Sequence, residues 1–244
     1  MSAGQLFRRA LRHPWPVFAA ALVLAVAGFW PSFFAILHET PLPHHIHGWS
    51  ATLWMALPLL QYALMRTGRR ALHRQLGYAS LVLAAVVVAS GLYVVQMMAY
   101  ANLSSFRLLD VKFVWLDLTG MALFTVYVAS ATLAARARDI RLHVSALVAS
   151  ALIPLEAALE RLFVNLLPTL VPNFSASLYV SLVFLEAVCA IFILVEWRTG
   201  RVRWPMPVLL AYYLIMHVTM TPVASNETFQ AFSDWFAMIG RPAS

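Results

Sequence analysis

The chain has 244 residues, 62% of them hydrophobic and only 11% charged, with a net charge of +7 and a mean hydropathy of +0.77. That leaves too little polar surface to coat a water-soluble globule, so the expected solvent is lipid. The basic residues fall in short clusters between apolar runs, which argues against a nucleic-acid partner, and the lone Cys189 excludes an intrachain disulfide and multi-thiolate metal or iron–sulfur sites.

Apolar runs of roughly the 20 residues needed to cross a bilayer occupy about 14–37, 48–65, 76–99, 111–135, 144–164, 177–196 and 205–222. The expected fold is therefore all-α: one integral membrane domain of about seven transmembrane helices. The first run contains Ala25-Val26-Ala27, a pattern signal peptidase accepts, but it continues through Trp30 and Phe34 to Leu37, as an uncleaved anchor does. Pro31 is expected to kink it. A loop stiffened by Pro41 and Pro43 then leads His38, His44, His45 and His47 to the second run.

Thirteen arginines fall on one side of the alternating topology: Arg8, Arg9 and Arg12, then Arg66, Arg69, Arg70 and Arg74, then Arg136, Arg138 and Arg141, then Arg198, Arg201 and Arg203. Arg107, Lys112, Arg161 and Arg241 fall on or near the other. The positive-inside rule puts the N-terminus in the cytoplasm and the C-terminus outside. The tail at 225–240 carries Phe229, Phe232, Trp235, Phe236 and Ile239 at helical spacing, with Ser225 and Asn226 as cap candidates. Such a short amphipathic helix lies flat on the outer leaflet or folds back over the bundle as a lid. No internal repeat or discontinuous helix is expected.

Titratable groups at membrane depth need a partner or a wet cavity, which makes them functional candidates. Asp110, Lys112 and Asp117 are expected in the outer half of the fourth run, Glu160 and Arg161 at the outer end of the fifth, His217 in the outer half of the seventh, and Glu156 and Glu186 nearer the midplane. Glu156 and Glu160 stand one helical turn apart on one face. One reading is a pocket open to the outer side, in which Glu156, Glu160, Asp117 and Arg161 do acid–base chemistry and His47, His217 and Glu160 hold iron, copper or zinc. The other is internal pairing, Lys112 with Asp110 or Glu156 and Arg161 with Asp117 or Glu186, which only locks helices together. Five carboxylates facing two bases leave an excess of acid to be balanced by protons or another cation.

At the opposite surface His73 precedes the third run and His143 the fifth, so two imidazoles share one depth, as a bis-imidazole haem site requires. Arg70, Arg74 and Arg141 stand beside them, suited to haem propionates or to anionic lipid headgroups.

The stretch from His47 to Leu92, with HGWSATLWMALPLLQ, GRRALHRQLG and Gly91, resembles a widespread group of uncharacterised bacterial multi-pass membrane proteins. These carry a His-Gly opening, a Trp, a Gln near the helix end and a Leu-His-Arg-x-Leu-Gly start to the next helix. Asp117, the segment from Asp139 to His143 and Arg161 extend the match, which covers roughly 45–165 and implies a bacterial inner (plasma) membrane but no activity. The same segment more loosely resembles the ascorbate-reducible transmembrane cytochromes b, whose paired helices open with related histidine patterns and bind two haems through four helix histidines. The resemblance implies that His73 pairs with His143 around haem b, and that His47 pairs with a histidine of the fourth run, where none stands, unless His217 substitutes.

Three functions compete on this reading: a membrane redox protein passing electrons from haem b toward a quinone or other lipid-soluble substrate; a metal-dependent or acid–base membrane enzyme; and a proton-coupled carrier or accessory subunit.

Overall fold

The computed structural model describes residues 14–101 and 107–240. The predicted Arg8, Arg9, Arg12 and Arg241 lie outside the described residues. All regular structure among the described residues is helical: α1 (Trp15–Phe29), a 3-10 turn (Phe34–Glu39), α2 (Leu42–Arg66), α3 (Arg70–Ala101), α4 (Arg107–Arg136), α5 (Ile140–Leu152), α6 (Leu155–Leu166), α7 (Phe174–Arg198), α8 (Pro205–Ala224) and α9 (Glu227–Met238). By length and composition α3, α4, α7 and α8 can each cross a membrane, and α5 with α6 adds a fifth crossing if the bent pair is one span. These are the proportions of a multi-pass membrane protein.

Helix neighbours run α1 on α2, α2 on α3, α3 on α4, α4 on α8, α8 on α7, α7 on α6 and α6 back on α1. Within that closed sequence α5 also touches α1, α2, α4 and α8. Its sequence explains its central place: Ala146, Ala149 and Ser150 are fully buried, and such small side chains let neighbouring backbones approach closely. Leu178, Leu182, Leu185, Leu209 and Tyr213 complete the core from α7 and α8.

The predicted helices differ from the observed ones in ways that trace to single residues. The run at 14–37 is not one helix kinked at Pro31. α1 stops at Phe29, two residues before Pro31, because a proline ring clashes with the carbonyl four residues back and supplies no N–H. At 15 residues α1 is about 22 Å long. The expected histidine loop is instead the start of α2, with His44, His45 and His47 already helical; Pro41 is its extended N-cap and Pro43 stands in the first turn, where a missing N–H costs nothing. Likewise α3 begins at Arg70, so His73 and Arg74 belong to its first turns. Gly68 makes the tight reversal before it, at φ 74°, a left-handed backbone that glycine adopts freely.

The largest departure is at 144–164, where a continuous crossing was expected. The chain breaks between Leu152 and Leu155 and bends by 42°. Pro154 opens α6 and donates no N–H, so carbonyls at the end of α5 need other partners. The phenol of Tyr213 supplies one, donating to Leu152 O at 3.0 Å.

The tail helix takes the lid position: α9 packs across α3, α4 and α8. Asn226 caps it, its side chain accepting from Phe229 N at 3.1 Å, while Ser225 closes α8. Gln96 of α3 donates to the carbonyls of Phe236 and Ile239 at 3.0 and 2.9 Å, and Phe229 stacks edge-on against Trp115, with ring centroids 5.5 Å apart.

Candidate functional site: carboxylates at a broken helix

The break at Ile153 and Pro154 places Glu156 in the first turn of α6 and Glu160 one turn on, both buried, at 5% and 2% exposure. Arg161 turns back along the helix, and its Nη1 donates to Glu160 Oε1 at 2.7 Å and to Ala157 O at 2.6 Å. The guanidinium lies over the Phe29 ring of α1, 4.8 Å from its centroid. Ser177 of α7 donates its hydroxyl to the Glu160 carbonyl, fixing the turn that carries the carboxylate.

Asp117 of α4 joins this group: it is within electrostatic reach of Arg161, Glu156 and Glu160. Gly120, one turn along α4, makes room beside the break; a Cβ there would stand 3.1 Å from the Tyr212 hydroxyl and 3.5 Å from Ile153. Tyr212 donates to Leu116 O at 2.8 Å and lies 3.3 Å from Thr119 Oγ1. Glu160 thus bonds the guanidinium directly, while Asp117 and Glu156 stand within electrostatic reach of it, with Tyr212 and Tyr213 nearby. Glu156 Oε1 and Glu160 Oε2 are buried with no hydrogen-bond partner among the described residues. The predicted group Asp117, Glu156, Glu160 and Arg161 is assembled, but Arg161 bonds Glu160 rather than Asp117 or Glu186.

The other predicted residues go elsewhere. Glu186 stands 3.3 Å from His217 Nδ1, so these two face each other across α7 and α8. Tyr179 packs its ring against His217 at 5.3 Å, bonds Thr221 at 2.7 Å and receives Lys112 Nζ at 3.4 Å. His47 points from α2 into α3, its Nδ1 3.2 Å from Ser90 Oγ. Because the Ser90 hydroxyl donates to Val86 O at 2.6 Å, His47 is the donor in that contact. A Cβ at Gly91 would meet His47 Cε1 at 3.0 Å, so this glycine seats the ring. His47, His217 and Glu160 are thus held at three different helix contacts, and among the described residues no three His, Cys, Asp or Glu side chains gather as metal ligands. The metal trio expected from the sequence is not assembled.

At the far end, His73 and His143 are close enough to interact electrostatically. His143 Nδ1 is 2.8 Å from Ala131 O, which makes it the donor and leaves Nε2 with a free lone pair, the tautomer that haem ligation uses. His73 fits less well. In the orientation that satisfies both ends of Gln61, that amide donates to His73 Nδ1 at 2.6 Å, which places the ring proton on Nε2 and removes the lone pair iron needs. Arg70 and Arg74 are exposed beside this pair of histidines, whereas Arg141 lines a separate cavity between α1, α5, α7 and α8.

Sequence reasoning missed Tyr212, Tyr213, Gly120 and Pro154. The signals were present: two adjacent tyrosines deep in an apolar run, and a proline two residues before a membrane glutamate. No protein-family model matches the chain, and no curated protein or solved structure matches it.

Proposed function

We propose that this chain is a seven-span protein of the bacterial inner membrane, N-terminus in the cytoplasm and C-terminus outside, that works by acid–base chemistry at membrane depth. On this reading α1 and α2 cross the bilayer together with the five candidate spans. The arginine clusters at 66–74, 136–141 and 198–203 all follow or precede helices at one end of the bundle, which supports the orientation.

One observation carries the functional reading: the acid of the Asp117, Glu156 and Glu160 group exceeds its base, Arg161, and the group sits at a broken helix. Irregular backbone at membrane depth is tolerated where it is buried in protein or lines a cavity, and carriers place coupling sites at such breaks. Glu156 and Glu160 are the proton-exchanging groups on this reading, Arg161 fixes the charge of Glu160, and Asp117 adjusts the balance from α4. The break favours a proton-coupled carrier over a hydrolytic or redox enzyme. Infrared difference spectra of the reconstituted protein, recorded between mildly acid and mildly alkaline pH, test it. A titrating carboxylic-acid band that Glu156→Gln or Glu160→Gln removes is expected; spectra with no such band in the unaltered protein refute the reading.

A second reading keeps haem b, because His143 presents its Nε2 in the ligand tautomer. A bound haem would supply one-electron chemistry there, with His143 holding it and Arg70 and Arg74 meeting its propionates. Visible spectra before and after dithionite decide this: reducible haem bands lost in His143→Ala support it, and a colourless purified protein excludes it.

A further inference from the structure

A cavity of about 530 Å³ opens at the end of the bundle from which α5 and α8 start, lined by the first turns of α5, whereas the carboxylate group lies beyond the break at its other end. Its inner wall is apolar, formed by Val17 of α1, Val144 and Val148 of α5, Phe192 of α7 and Met206 of α8. Its rim carries Arg141, Arg198 and Arg203 against a single carboxylate, Glu196. Glu196 is already engaged, its Oε2 accepting from the Arg203 backbone N–H at 2.7 Å. Arg203 donates Nη1 to Arg201 O at 3.2 Å, but its Nε is buried with no partner among the described residues. Ser145, only 7% exposed, lines the same cavity, and its hydroxyl likewise finds no partner.

A buried guanidinium N–H and a buried hydroxyl left unsatisfied beside an excess of positive charge describe the donors of a missing anion. The wall behind these donors is apolar, and Val17 and Val144 in it stay partly exposed, which suits an amphiphile with an apolar chain better than a small hydrated anion. We propose that this cavity holds an anionic phospholipid, with the headgroup phosphate on Arg141, Arg203 and Ser145 and the start of an acyl chain against Val144, Val148 and Phe192. Arg198 adds long-range attraction at the mouth. The site is independent of the carboxylate reading and needs no cofactor.

The test uses the full chain in delipidated detergent, with phosphatidylglycerol, phosphatidylcholine or inorganic phosphate added, read by thermal unfolding and by native mass spectrometry. Phosphatidylglycerol is expected to stabilise the protein and to remain bound as one molecule, with phosphatidylcholine and phosphate giving neither effect. The double variant Arg141→Gln, Arg203→Gln weakens that retention roughly tenfold or more, while Arg66→Gln and Arg69→Gln, at the same end but outside the cavity, leave it unchanged. Val148→Trp fills the apolar wall and abolishes retention with every arginine in place. Equal stabilisation by phosphatidylcholine, an equal effect of phosphate alone, or undiminished retention in Val148→Trp overturns the proposal, and the lipid comparison on the unaltered protein decides even if the arginine variants fail to fold.

Discussion

Arg161→Met is expected to lower the unfolding free energy by about 3–5 kcal/mol. Glu160 is 2% exposed, one of its oxygens accepts from Arg161 at 2.7 Å, and the other has no partner among the described residues. Deleting the guanidinium leaves that carboxylate buried without its counter-charge, and takes away the cation resting on Phe29 as well. The double variant Glu160→Gln, Arg161→Met should recover most of the loss, because it leaves no buried charge without its partner. Denaturant titration in detergent measures all three proteins. A loss under about 1 kcal/mol in the single variant would mean that the pair behaves as a solvated surface bridge.

Gly28→Val is expected to have the next largest effect. A Cβ at Gly28 would stand 2.1 Å from the Ala158 carbonyl oxygen and 2.7 Å from its carbon. Those are backbone atoms of α6 in the middle of a helix, so neither side can rotate away as a flexible side chain would. Overpacking of a tight contact costs about 1–3 kcal/mol, and here the whole of α1 must lift from α6. The same movement carries Phe29 away from Arg161, so the two substitutions act on one contact and their effects should not add. A thermal shift for Gly28→Val no larger than that of an exposed α1 variant such as Val23→Ala would contradict this packing.

Much of the helical layout was legible because hydrophobic periodicity and length report directly on lipid exposure. Six of the seven predicted runs each correspond to one observed helix or its greater part; ends extend where helix continues into polar turns, as at Arg70 and Leu42, and the first run is cut short at Phe29. Prolines were harder. Pro31 and Pro154 each stand in an apolar run that composition alone reads as continuous, and one ends a helix while the other divides a crossing. The carboxylate group was legible as a set, since charge at membrane depth is rare enough to be noticed. Its pairing was not. Residues adjacent in a helix point in different directions, so the sequence gives no reason to join Arg161 to Glu160; the long side chain reaches back to it. Nor does spacing reveal that His217 would meet Glu186 and that His47 would face Ser90, because both depend on which helices become neighbours.

The seat of α1 has a consequence for biogenesis. Gly28 docks against Ala158, a residue synthesised about 130 positions later, roughly 6 to 26 seconds at cellular elongation rates. Throughout that interval the first helix has no finished partner on that face, and Phe29 has no cation to receive. It must wait in the translocation machinery or in lipid until α6 emerges. Slowed release of α6, rather than any defect in the first helix itself, would then be enough to expose a nascent chain to quality-control proteolysis.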